Sequence, residues 1–140
     1  MFQNIPILPP RSTTYVRDVL TAVSYMNERD LAHLDIKPDN ILLDGRLHIA
    51  KLCDFGMARK PFRGCPNGAW HYMPLEVLDP LSKQPVNIKV DVWSAGIILL
   101  ELLTGVRLIP YHYSRQEILT YMKEMLPENM SEYATYLCIA

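Results

Sequence analysis

The stretch that decides the fold reads His33-Leu34-Asp35-Ile36-Lys37-Pro38-Asp39-Asn40, followed after two short apolar runs by Asp54-Phe55-Gly56. The first segment sets a carboxylate, an ammonium and an amide in one irregular loop broken by Pro38. The second adds a carboxylate beside Gly56, whose missing Cβ opens unusual backbone angles. Mg2+ takes one or two protein oxygens and completes its shell with phosphate and water. A lysine can neutralise charge on a moving phosphoryl group. These are the residue types that a magnesium–phosphate site needs.

Working outward, Ile41-Leu42-Leu43, then Asp44-Gly45, then Leu47 to Leu52 predict a β-hairpin. Upstream, Val16, Val19, Leu20, Val23 and Met26 recur at helical spacing. Residues 13–29 therefore read as an amphipathic helix, with Ser12 or Thr13 as its cap. Residues 1–11, with Pro6, Pro9 and Pro10, read as an extended lead-in.

Downstream, Gly56, Pro61, Gly64, Pro66, Gly68 and Pro74 predict an extended loop over 54–76. Val92, Trp93, Ile97, Ile98, Leu99, Leu100, Leu102 and Leu103 would surround a helix over 90–104. Such a helix must be buried inside a domain. Gly105 suits its C-cap. Ser114-Arg115-Gln116-Glu117 is a capping box that opens a helix ended by Pro127, and Ser131 can cap a last one. The expectation is a mainly helical fold with one small β-hairpin, with helices at about 12–30, 88–104, 114–126 and 131–140.

Bulk properties narrow the function classes. Hydrophobic residues make up 49 % of the 140 and charged residues 21 %, an ordinary globular balance. A net charge of −1 with no long run of one sign gives no reason to expect nucleic acid or an anionic membrane as partner. Cys53, Cys65 and Cys138 fit neither a zinc site nor a disulfide framework. The most apolar run is too short to span a bilayer, and residues 1–10 lack a signal-peptide pattern. A cytoplasmic or nuclear protein is expected.

The two opening segments resemble the catalytic loop and metal-binding triplet of eukaryotic-type protein kinases of the serine/threonine type. The resemblance implies that Asp35 is the catalytic carboxylate that orients a substrate hydroxyl and accepts its proton. It implies that Lys37 reaches the γ-phosphate of ATP, and that Asn40 and Asp54 hold Mg2+. His33 and Phe55 match packing positions beside this loop. Gly68-Ala69-Trp70-His71-Tyr72-Met73-Pro74-Leu75-Glu76 resembles the substrate-side loop that ends in the family's Ala-Pro-Glu triplet. Asp91-Val92-Trp93-Ser94-Ala95-Gly96 resembles the start of the buried central helix, whose aspartate braces the catalytic loop. The implied fold is the C-terminal lobe of a protein kinase over residues 12–140, with a protein as substrate.

Four departures qualify the implied activity. Leu34 stands where the family has an arginine that binds an activation-loop phosphate. Residues 57–76 contain no serine or threonine, and Tyr72 is their one hydroxyl. Ala69 stands where serine/threonine kinases place a threonine that bonds the catalytic aspartate and lysine. No Gly-x-Gly-x-x-Gly occurs, and no strand lysine of the Val-Ala-x-Lys type precedes residue 12. The expectation is therefore one lobe without its N-terminal partner, inactive as this chain alone. A partner protein is expected at the surface such a lobe would cover. The rival expectation is a pseudokinase-like, non-catalytic scaffold.

Overall fold

The computed structural model describes residues 9–64, 67–68, 70–74, 77, 86–105, 117 and 120. Helix α1 spans Pro9–Asn27. Its buried side chains Tyr15, Val16, Val19, Val23 and Met26 form one stripe, the face that the apolar spacing predicts. The helix begins before the expected cap, so Ser12 and Thr13 lie inside it and residues 9–11 are not extended. The reason is the pair Pro9-Pro10. First-turn N–H groups have no helical partner, and proline's fixed φ already suits a helix start. At the other end Asp30 turns left-handed (φ 56). That lets the Leu31 N–H reach back to the Met26 carbonyl at 3.1 Å.

Strands β1 (Ile41–Asp44) and β2 (Ile49–Leu52) pair antiparallel, with Ile41 opposite Leu52 and Asp44 opposite Ile49. The hairpin is where it was expected, but its turn is wider than an Asp-Gly pair and occupies 45–48. Asp44 explains the difference. Its Oδ1 accepts the Arg46 and Leu47 N–H groups at 2.9 and 3.0 Å, a local bond that favours a turn over a longer ladder. His48, at φ 52, makes the left-handed step back into β2. Asp18 of α1 accepts the Ala50 N–H at 3.0 Å, which ties the hairpin to the helix.

Helix α2 spans Ile88–Thr104, matching the expected 88–104. Asn87 caps it by accepting the Lys89 N–H at 2.9 Å, and Gly105 (φ 69) closes it by donating to the Glu101 carbonyl at 2.9 Å. Val90, Trp93, Ala95, Ile97, Ile98, Leu99, Leu100 and Leu102 are all buried. Burial around most of the circumference makes α2 the axis of the core. One cluster joins it to α1 and the hairpin through Ile36, Ile41 and Ala50. A second holds Ala32, Leu34, Met73, Val77, Val86 and Val90, with Phe62 packed on it.

Between Asp54 and Tyr72 the described chain has only short regular pieces, as its glycines and prolines require. Two single bridges stake it down, Ala32 to Arg59 and Phe62 to Val86. A 3-10 turn follows at Trp70–Tyr72. The helices expected at 114–126 and 131–140 lie outside the described residues, except for Glu117 and Thr120, which are helical. Among the described residues no helix is long and apolar enough to cross a membrane.

Ile97 has no exposed surface at all. Ile97→Ala is expected to cost about 2–5 kcal/mol in a denaturant melt, whereas a value under about 0.5 kcal/mol would fit only a surface position.

Candidate active site

The loop from His33 to Asn40 is built on one carboxylate from the helix below. Asp91 in the first turn of α2 accepts the His33 N–H at Oδ2 (2.7 Å) and the Leu34 N–H at Oδ1 (2.8 Å). Asp91 is 1 % exposed, so neither bond is shared with bulk water. Burial pushes its carboxyl up to about 6, against the pull of those two amides. The brace holds Leu34 in left-handed backbone at φ 65, a conformation that costs a β-carbon residue roughly 1–2 kcal/mol. Strain of this kind persists only where surrounding bonds over-determine it.

His33 is fully buried. Its Nδ1 accepts the Asp35 N–H at 3.3 Å, which leaves the ring proton on Nε2, facing the Cys53 carbonyl at 3.2 Å. Burial holds its pKa below the usual 6.5. His33 is thus a neutral strut between the loop and the Asp54 segment, as its packing role implied. Phe55 meets its ring edge-on at 5.1 Å but stays 53 % exposed, so it packs on one side only.

Asp35, Lys37 and Asn40 come together as the sequence spacing implied. Lys37 Nζ lies 2.9 Å from Asp35 Oδ2. Asn40 Nδ2 donates to that same oxygen and to the Asp35 carbonyl, both at 2.8 Å. One carboxylate oxygen is therefore held twice. The other, Oδ1, is buried and without a hydrogen-bond partner among the described residues. Because the Asn40 NH2 is spent on Asp35, its amide oxygen is the end left for another ligand. The hairpin brings Asp54 alongside, since Cys53 N–H donates to the Asn40 carbonyl at 2.9 Å and extends the ladder by one bond. Asp54 is exposed and left-handed (φ 61), with Oδ1 accepting the Gly56 N–H at 3.2 Å.

The donor set suits magnesium. Asn40 and Asp54 offer one amide and one carboxylate oxygen at the same end of the hairpin, which matches an ion that takes few protein ligands and completes its shell from phosphate and water.

Leu34 explains what replaces the expected arginine. It is 3 % exposed, seated among Met73, Val77, Val86 and Val90. Apolar contact, in place of an ionic one, joins the His33–Asn40 loop to the segment that follows Asp54. Arg59, on that segment, lies over the Phe62 ring at 4.4 Å. Tyr72 is 3 % exposed and donates its hydroxyl to Glu101 at 3.2 Å. Ala69, Leu75, Glu76 and the Trp70 side chain lie outside the described residues. Sequence reasoning missed the close approach of Gly68 to Leu34 and Asp35. In the sequence Gly68 is one breaker among several.

Residues 3–137 match the protein kinase domain. The chain belongs to the protein kinase family. Among curated kinases it is 34 % identical over 114 residues to glycogen synthase kinase 1 of Pyricularia oryzae, covering 79 % of this chain and 28 % of that protein. It is 36 % identical over 115 residues to serine/threonine-protein kinase Sgk1-A of Xenopus laevis, covering 77 % and 24 %. It is 40 % identical over 94 residues to mitogen-activated protein kinase kinase kinase 1a of Physcomitrium patens, covering 64 % and 12 %. The aligned part thus spans between about an eighth and just over a quarter of these kinases.

Two outcomes follow from this geometry. The folded Asp91 carboxyl binds its proton more tightly than the unfolded one (about 6 against 3.8), so its contribution to stability falls as pH rises through that window. Wild type should lose about 3 kcal/mol relative to Asp91→Asn between about pH 4 and pH 6.5, read from melting midpoints; parallel profiles would contradict it. The second concerns the segment 57–76, whose one hydroxyl is buried and bonded. Phosphatase treatment should leave the melting temperature unchanged, and Leu34→Arg should lower stability by on the order of 3 kcal/mol or more by burying an unpaired charge. A phosphate in 57–76 whose removal shifts the melting temperature would overturn this.

Proposed function

We propose that this chain carries the phosphoryl-transfer residues of a serine/threonine protein kinase. The observation that carries the reading is the Asp35 carboxylate, held at Oδ2 by Lys37 and Asn40 in the loop that the hairpin ladder joins to the Asp54 segment. A carboxylate fixed in this way can orient a substrate hydroxyl and take its proton. Lys37, 31 % exposed, extends its charge from the buried carboxylate toward solvent, where it can meet a phosphate. Asn40 and Asp54 would hold Mg2+. Bound Mg2+·ATP would supply the phosphoryl group and spread its charge over the metal. The protein's part is to position and to neutralise.

A scaffold without catalysis has one observation in its favour. The buried Oδ1 of Asp35, without a hydrogen-bond partner among the described residues, is what the loss of a threonine at position 69 would leave behind. Exposed Leu42, Leu47, Phe55 and Met57 on the hairpin and the Asp54 segment offer such a scaffold a surface for a protein partner, or for an N-terminal lobe.

Transfer from Mg2+·ATP to a serine peptide, read beside nucleotide-dependent melting, separates the two. On the kinase reading, Mg2+·ATP raises the melting temperature. Asp54→Asn removes that rise, and Asp35→Asn keeps it while lowering kcat by about 100-fold or more. A melting rise with no transfer by the unsubstituted protein would leave the scaffold reading standing in its place.

A further inference from the structure

We propose that Gly68 is a positioning residue for Asp35, its bare α-carbon forming the wall beside the carboxylate oxygen that no described residue holds. The proposal deepens the kinase reading and rests on it for its kinetic consequence.

A Cβ built at Gly68 would overlap the Leu34 carbonyl oxygen, and would stand 3.3 Å from both Asp35 Oδ1 and the Met73 methyl. Gly68 therefore touches the catalytic loop through its backbone. It does so at the left-handed angle φ 130, which L-residues rarely adopt. The Leu34 carbonyl has little room to yield. Its own peptide is held by the Asp35 N–H on His33 Nδ1, Asp91 holds the two preceding N–H groups, those of His33 and Leu34, and the Leu34 side chain is locked in the second cluster. Met73 is 2 % exposed and equally confined. A side chain at 68 must then displace the segment that carries it, and the wall beside Oδ1 goes with it. With Oδ2 tied to Lys37 and Asn40, that wall is a second constraint on which way the carboxylate faces.

Two other glycines separate this effect from ordinary glycine strain. Gly64 has nearly the same angle (φ 133), yet a Cβ there meets nothing closer than the Phe62 ring at 3.9 Å. Gly45 has neither the angle nor a neighbour within 4 Å. Gly64→Ala thus carries the backbone penalty without the overlap, and Gly45→Ala carries neither.

The test compares Gly68→Ala, Gly64→Ala and Gly45→Ala in the full chain by 13C NMR of the Asp35 carboxyl, thermal melting and steady-state kinetics. Gly68→Ala is expected to shift the Asp35 resonance and lower kcat on the order of 100-fold, with KM for Mg2+·ATP unchanged. Gly64→Ala is expected to lower the melting temperature alone, and Gly45→Ala to change none of the three. The proposal is overturned if Gly68→Ala leaves the Asp35 resonance in place, or if Gly64→Ala moves it as far. Should Gly68→Ala not fold, the unsubstituted chain decides. A nuclear Overhauser contact between the Gly68 α-protons and the Met73 methyl supports the proposal, and its absence sinks it. If Mg2+·ATP leaves the melting temperature of the unsubstituted chain unchanged, the kinase reading fails, while the resonances still judge the wall.

Discussion

Asp91 reaches up from α2 to two consecutive amides, those of His33 and Leu34, and the site is assembled on that contact. Nothing else in the described chain reconciles a left-handed leucine with a buried loop. Remove the carboxylate and two buried N–H groups lose their acceptor together, each a cost of about 1–3 kcal/mol. The brace fixes the loop backbone. The loop backbone in turn fixes where the side chains of Asp35, Lys37 and Asn40 start. A helix buried on most sides is the right platform, since a deeply packed element cannot tilt to follow a loop.

Above that platform the protein treats its two carboxylates differently. Asp35 is enclosed, with one oxygen committed and the other without a partner among the described residues. Asp54 is exposed and held loosely, by a single bond to the Gly56 amide. The contrast suits two jobs. A group that orients a hydroxyl needs a fixed direction, whereas a metal ligand can complete its geometry when the ion arrives. The neutral His33 links them, with its backbone on the brace and its ring against the carbonyl just before Asp54.

Sequence legibility followed how local the deciding physics was. Helix α2 could be bounded in advance because Gly105, its end and its apolar circumference are all written in adjacent residues. The hairpin was visible for the same reason, but its turn was not. Asp44 has two amides within reach, and only the folded backbone shows that it takes both. The start of α1 was misplaced because Pro9-Pro10 reads equally as an extended entry or as a first turn. Asp35, Lys37, Asn40 and Asp54 were legible from their spacing, since one loop and one hairpin bring them together. The left-handed Leu34, the bare oxygen of Asp35 and the approach of Gly68 were not. Each arises from segments far apart in the chain, and a one-letter code carries no distance between them.

The brace also sets an order of events. His33 and Leu34 meet Asp91 across 58 and 57 positions of chain. Synthesis runs from the N-terminus and domains fold as they emerge, so α1 and both strands exist before the carboxylate that steadies the loop between them. Closing a loop of that length must precede any gain from the contact. Until α2 appears, the loop that bears Asp35 is connected but unsupported. The candidate site is therefore among the last features this folding completes, even though its residues leave the ribosome before Asp91 does.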